Sequence, residues 1–401
     1  MIYIIYFHRF DDLTLHGFNL NHHPSKMESK LEDRITLLDG SRIIIESAVA
    51  AGAEVFTGYP ITPANLLYAY AGKRFPVFLP APDEITALQW LCGFSSVGKV
   101  GVTATSFPGF ALMLETLNMA YLMELPMVII LAQRLGPSTG SATAGAQGDL
   151  LLLRGCISGG YPIPVFCPAD FKDCQELTHQ AVKAAIQMRT PVILLTSKEM
   201  IMTNRSFDLN EFEEKEKVSL KYFENGKPYK PYLADEDTMV PPFLPLGNNQ
   251  HQVRINSSTH DVNGFIQKAT KEALDNTKRL KVKIEEGMKE FNFYSLNEID
   301  EARILLVSYD ISSDAVLEAA KVLKTRNVLV STLILKTILP VPENILSILE
   351  YYEKVFIVEE NLSGLLREIL FGIQSQSNIY GINKIGEMIS PEDIIAEVSS
   401  N

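Results

Sequence analysis

Short apolar runs alternate with longer amphipathic stretches from about Leu37 to Thr203. The runs at 54–57, 76–79, 100–105, 127–132, 164–167 and 192–196 predict strands. Several are continuous β-branched or apolar segments, as expected of strands covered on both faces. Between them the spacing predicts helices at 41–51, 64–72, 84–97, 109–123 and 169–188. That alternation predicts an α/β fold with a doubly wound parallel sheet. Such sheets hold ligands beyond the carboxyl ends of their strands. The rhythm breaks between Arg205 and Asp300. A charged run at 211–217 and a Pro-, Tyr- and Asn-rich stretch around 228–245 precede a Lys/Glu-rich helical segment at about 263–290. This region reads as a connector whose helix is mainly solvated, packed on the surface or against a partner. From Ala302 the rhythm returns, with strands expected at 304–308, 328–335 and 355–359 and helices at 314–324, 343–352 and 364–371. The expected organisation is an N-terminal extension (1–36), a first α/β domain (37–204), a connector (205–300) and a smaller α/β domain (301–401).

Composition narrows the function. A chain of 401 residues with 46% hydrophobic and 21% charged positions has enough apolar material for ordinary cores. The net charge of −12 argues against binding a nucleic-acid backbone. The four cysteines, Cys92, Cys156, Cys167 and Cys174, show no C-x-x-C spacing. They read as buried free thiols, and any redox centre has to come from elsewhere. The histidines form no H-x-x-x-H pattern, and His22 and His23 sit in a polar leader. No metal site is expected on this chain. No apolar run reaches the roughly 20 residues that span a bilayer. The opening MIYIIYF is cut off by Arg9, Asp11 and Asp12 and does not read as a signal peptide. The cytoplasm is the expected location, with Met1 or Met27 as the start.

Four loops follow strand candidates. In Gly58-Tyr59-Pro60-Ile61-Thr62-Pro63 two prolines fix the backbone and leave the Thr62 hydroxyl near a helix start. That placement suits either an anion or a simple N-cap. In Pro82-Asp83-Glu84, Asp83 can cap a helix. Glu84 is then either a first-turn carboxylate favoured by the helix dipole or a buried acid that bonds a ring nitrogen. Thr105-Ser106-Phe107-Pro108-Gly109-Phe110 ends a strand in small polar residues and Pro-Gly, which lets a ligand approach the backbone. The fourth, Gln133-Arg134-Leu135-Gly136-Pro137-Ser138-Thr139-Gly140, continues to Gln147-Gly148-Asp149 and follows the strongest strand. Arg134 there can grip a carboxylate through two hydrogen bonds, or be a structural arginine. One near match is set aside. Gly93–Val100 resembles a phosphate loop, but Val100 replaces the magnesium-binding hydroxyl and the segment leaves a helix for a strand.

Taken in order, these loops with Leu38-Asp39-Gly40-Ser41, and Lys354-Val355-Phe356-Ile357-Val358-Glu359-Glu360-Asn361 with Gly364 downstream, resemble the alpha subunit of 2-oxoacid:ferredoxin oxidoreductases. The resemblance runs from about Leu37 onward and is weak in the connector. It implies a thiamine-diphosphate pyrimidine-binding domain followed by a transketolase-C-like domain. It implies that Glu84 contacts the pyrimidine ring nitrogen, that Thr62 and Arg134 meet the substrate's oxo group and carboxylate, and that Tyr59, Pro60, Ile61, Pro108 and Gly109 contact the cofactor. A carboxylate on the ring nitrogen favours the imino tautomer of the opposite amino group, the base that activates the thiazolium carbon. The implied reaction is oxidative decarboxylation of a 2-oxoacid to acyl-coenzyme A and carbon dioxide, with electrons passed to ferredoxin.

The chain has no G-D-G followed by the distant Asn that holds magnesium and diphosphate in thiamine enzymes, and Gly148-Asp149 continues into Leu150. The resemblance therefore implies a beta subunit carrying the magnesium, the diphosphate grip and an iron–sulfur cluster, and leaves a gamma subunit open. Phe107 departs from the glycine usual in the family, a change expected to narrow the pocket. Two other readings stand beside this one. One is a non-catalytic regulatory or binding relative, and the other is a different split-chain thiamine-dependent decarboxylase or carboligase. Pyruvate, 2-oxoglutarate and branched-chain oxoacids all fit the sequence as substrates.

Overall fold

The computed structural model describes residues 35–224, 228–374 and 376–401. The expected N-terminal extension, with His22, His23 and Met27, lies outside the described residues. No helix among the described residues is long and apolar enough to cross a membrane. All four cysteines are buried and free.

The first half runs β1 (Ile35–Asp39), α1 (Gly40–Ala51), β2 (Val55–Gly58), α2 (Asn65–Arg74), β3 (Val77–Pro80), α3 (Glu84–Ser96), β4 (Gly101–Thr105), α4 (Phe107–Leu122), β5 (Met127–Gln133), α5 (Leu150–Gly155), β6 (Val165–Phe166), α6 (Phe171–Met188) and β7 (Pro191–Ser197). It continues into α7 (Lys198–Met202) and β8 (Asn204–Asp208). Every residue of β5 and β7 is buried, which explains the apolar runs 127–132 and 191–195 that make up most of each strand. The helices start where the sequence offers a cap. Asp83 accepts from the Thr86 amide at α3, and Asp170 from the Asp173 amide at α6. Gly40 opens α1 against the carbonyl of Met200 so closely that a Cβ would lie 2.4 Å from that oxygen. β1 and β8 form a separate antiparallel ribbon that the sequence pattern did not predict.

The remainder runs α8 (Lys271–Gly287), β9 (Tyr294–Asn297), β10 (Ile304–Tyr309), α9 (Ser312–Thr325), β11 (Val330–Leu335), β12 (Thr337–Leu339), α10 (Glu343–Glu350), β13 (Lys354–Glu359), α11 (Leu365–Phe371), β14 (Ile379–Asn383) and α12 (Pro391–Ser400). The second sheet has the order β14-β13-β10-β11-β9 and is parallel except for the edge strand β9. The first sheet has the order β12-β6-β7-β5-β4-β2-β3 and is parallel except for β12. Each sheet thus takes an edge strand from beyond its own stretch of α/β alternation.

The connector helix α8 is amphipathic, with an exposed Lys/Glu-rich outer face and an inner face packed on the rest of the fold. Its inner face buries Ala273, Asn276, Leu280, Lys283 and Ile284. Lys283 reaches the fully buried Glu124 at 2.8 Å, and Arg279 closes on the same carboxylate. Burial pushes the Glu124 carboxyl up, but Lys283 and Arg279 outweigh it and hold the group at about 2.

The direction of winding fixes where a ligand can sit. From β2 the chain passes to β3 on one side, then returns through α3 to place β4 on the other side of β2. The loops after β2 and β4 therefore diverge, and the crevice between their carboxyl ends is the switch point of the sheet.

Candidate functional site

The three loops at that crevice carry most of the residues expected from the sequence. Glu84 is the first residue of α3 and is buried, with 7% of its surface exposed. Among the described residues no hydrogen bond or ion pair engages its carboxyl group. Opposite it lies Gly109 in the first turn of α4. A Cβ at Gly109 would lie 2.6 Å from Glu84 Oε1 and 2.2 Å from Thr105 Oγ1. The missing side chain lets the backbone of α4 close on the Glu84 carboxyl group and the Thr105 hydroxyl. α3 is tied to β2 by the Thr57 hydroxyl, which donates to the Ala87 carbonyl at 2.7 Å. Ser106 precedes α4, and its buried hydroxyl has no partner.

The sequence placed the start of α4 at Gly109, but the helix begins at Phe107, so that side chain stands partly buried on its first turn. The N-cap reading of Thr62 does not hold. α2 starts at Asn65 with Ala64 as its uncapped N-cap residue, and the Thr62 hydroxyl accepts from Asn65 Nδ2 at 3.2 Å. Tyr59 and Pro60 are exposed and Ile61 is half-buried, so this loop forms a rim.

Arg134 follows β5 and is buried, not a surface residue. Its Nη1 donates to the Thr62 carbonyl at 2.6 Å, which brings the second and fourth loops together. Its Nε is buried with no partner. Burial lowers its pKa, against the opposing field of Asp149. Thr62 and Arg134 therefore meet directly, while Glu84 at the start of α3 faces Gly109 in the first turn of α4. A buried unpaired acid against glycine backbone, and an arginine with free donors, can hold a flat nitrogen heterocycle and a carboxylate. This arrangement fits the pyrimidine end of thiamine diphosphate.

A family model for the thiamine-diphosphate-binding part of pyruvate flavodoxin/ferredoxin oxidoreductases matches residues 46–278, more than half of the chain. The chain belongs to this family. Within the curated proteins it is similar to the 2-oxoglutarate synthase subunit KorA of Methanocaldococcus jannaschii, 28% identical over 90% of this chain and 98% of that protein. It is also similar to the ketoisovalerate oxidoreductase subunit VorB of Methanothermobacter thermautotrophicus, 26% identical over 90% and 96%. A solved structure of 2-oxoglutarate:ferredoxin oxidoreductase from Magnetococcus marinus, with 2-oxoglutarate, coenzyme A and succinyl-CoA bound, superposes with a TM-score of 0.85 at 25% identity. It covers 92% of this chain, which spans 65% of that longer one. A split-gene transketolase shares the fold at a TM-score of 0.51 and 14% identity, in line with the α/β architecture.

Other polar residues of the resembling segments have structural contacts that the sequence does not signal. Gln133, at the end of β5, donates to Asp310 Oδ2 at 3.4 Å and accepts from the Asp149 amide at 3.4 Å. Gln147 donates to the Tyr309 carbonyl at 2.8 Å and accepts from the Glu360 amide at 2.7 Å. These contacts fasten the fourth loop to the carboxyl ends of β10 and β13. The family segment Glu359-Glu360-Asn361 has a structural job in the same place. Glu359 accepts from the Leu366 and Arg367 amides, and Asn361 Oδ1 from the Gly364 amide, so both cap α11. The available signal is the polar run Glu359-Glu360-Asn361 directly after the apolar stretch 355–358.

Proposed function

We propose that this chain is the alpha subunit of a 2-oxoacid:ferredoxin oxidoreductase, which converts a 2-oxoacid to acyl-coenzyme A and carbon dioxide and passes the electrons to ferredoxin. The reading is carried by the buried, unpaired carboxyl group of Glu84, which the Gly109 backbone approaches at the start of α4. Thiamine diphosphate, when bound, supplies the nucleophilic carbon and the electron sink. Glu84 hydrogen-bonds the pyrimidine ring nitrogen and holds the proton there. The backbone at Pro108 and Gly109 lies against the ring, and Tyr59, Pro60 and Ile61 form the rim over it. Arg134 takes the substrate's carboxylate through donors left free by its bond to the Thr62 carbonyl, and the Thr62 hydroxyl meets the oxo group.

A beta chain completes the site with magnesium, the diphosphate grip and an iron–sulfur cluster, and coenzyme A and ferredoxin act on that assembly. Tyr59, Ile85 and Leu112, exposed on the first, second and third loops or the turns that follow them, support a partner that covers this end. The relatives named for 2-oxoglutarate and for ketoisovalerate support a 2-oxoacid as the substrate class.

The test is reconstitution with the beta chain and a panel of 2-oxoacids, with dye or ferredoxin as acceptor. Glu84→Gln is expected to lower kcat at least 100-fold, roughly 3 kcal/mol of transition-state stabilisation. An unchanged rate means that Glu84 is not the cofactor's acid and favours a non-catalytic relative. Carbon dioxide released without any acceptor points to a plain decarboxylase or carboligase.

A further inference from the structure

Two oppositely charged side chains are buried at the carboxyl end of β5 and stop short of each other. Arg134 is 5% exposed and Asp149 4% exposed. Among the described residues no hydrogen bond or ion pair joins them, yet each feels the other's field. Arg134 Nε and Asp149 Oδ2 are both buried without a partner. Asp149 occupies the N-cap position of α5 but does not cap that helix. Its amide is tied to Gln133, and its neighbour Gln147 is tied to Glu360, so the segment is held in place from both sides.

We propose that Asp149 is a positioning residue that acts through Arg134: it is the guanidinium's counter-charge while the pocket is empty, and it takes one proton from solvent when a 2-oxoacid carboxylate docks there. This rests on the reading of Arg134 as the carboxylate grip. With Asp149 ionised, a docked carboxylate leaves two buried anions sharing one cation, which is costly at low dielectric. Protonating one anion removes the conflict, and the proton returns to solvent when the guanidinium is vacated.

Asp149 is the group suited to change. Burial pushes its carboxyl up to about 7, although Arg134 pulls the other way. Titratable groups that face its segment are Tyr309, which feels the Asp149 charge, Asp310 through Gln133, Glu360 through Gln147, and Glu199, whose carboxylate lies against Gly145. Asp310 and Glu360 are themselves pushed up by burial, Glu360 to about 7, so Glu360→Gln is needed beside Asp149→Asn to tell the two titrations apart.

Two measurements on the reconstituted complex test this, with the 2-oxoacid that gives the highest kcat/KM. In the first, kcat/KM is expected to fall up to tenfold per pH unit above about 7, while kcat stays flatter. Asp149→Asn is expected to lose that alkaline limb, and Glu360→Gln to keep it. Persistence of the limb in Asp149→Asn overturns the proposal. In the second, calorimetry in two buffers of different ionisation enthalpy counts protons as the 2-oxoacid binds to the non-turning Glu84→Gln complex at pH 8. Nearly one proton taken up per ligand is expected, which needs no change at Asp149. No uptake overturns the proposal even if Asp149→Asn fails to assemble. Arg134→Met separates the two levels. If it binds the 2-oxoacid as tightly as the parent, the carboxylate grip itself is misassigned. If it loses binding while the parent takes up no proton, only the role of Asp149 fails.

Discussion

Gly109 faces Glu84 with no room for a side chain, since a Cβ would stand 2.6 Å from the acid's Oε1. The glycine therefore sets the position of the carboxyl group as much as the helix that carries it. Gly109→Ala is expected to displace Glu84 and Thr105. The overpacking costs about 1–3 kcal/mol of stability and kcat/KM drops at least 100-fold in the reconstituted complex. Circular dichroism and steady-state kinetics check both. Activity within threefold of the parent would place the cofactor elsewhere.

Arg134→Lys keeps the charge and loses the fork. A single ammonium cannot serve both the Thr62 carbonyl and a substrate carboxylate with the same geometry. KM for the 2-oxoacid is expected to rise about 10- to 100-fold, or about 1.4–2.7 kcal/mol, with a smaller change in kcat. A KM that stays put argues that Arg134 is structural.

Glu124 is the buried anion that holds two cations of α8, and Lys283 is 1% exposed beside it. Glu124→Gln leaves Arg279 and Lys283 without their counter-charge. A loss of about 3–5 kcal/mol is expected, read as a lower urea midpoint. Stability within 1 kcal/mol or so of the parent would mean that water or another acid replaces Glu124.

Glu360 gives a pH-dependent test with a defined sign. Its Oε1 accepts from the Ile389 amide at 3.1 Å, and burial pushes the carboxyl from 4.5 to about 7. The folded chain holds a proton that the unfolded chain releases, so this contribution to stability is present below about 4.5 and is lost as pH rises through about 7. Glu360→Gln keeps the acceptor and cannot ionise. It is expected to stabilise the protein at pH 8 by roughly 1–3 kcal/mol and to be neutral at pH 4. Denaturation at the two pH values checks this, and an equal effect at both refutes it.

Much of this was legible before any coordinates. The core strands and helices stand out because burial on both faces writes continuous apolar runs, and because Asp83 and Asp170 mark helix starts. The loops at Glu84, Thr62 and Arg134 were visible because strand ends rich in Pro, Gly and small polar residues break the pattern. What was not legible depends on distance along the chain. Glu124 finds Arg279 and Lys283 across 155 and 159 positions, so α8 looked like a solvated helix. Asp149 carries no motif of its own in the sequence, and its segment is fixed by Gln147 contacts to the ends of β10 and β13, far downstream. β12 has three residues, too few to show a period.

That three-residue strand has a consequence for handling the protein. Thr337 and Leu339 pair with Phe166 and Val165 across the outer edge of the first sheet. A fragment expressed to about residue 204 would lack this cover and present β6 as an open, wholly apolar margin to other copies of itself. Dissecting the chain at its compositional boundaries would therefore yield aggregating pieces, and interface mapping is better done by substitution within the whole polypeptide.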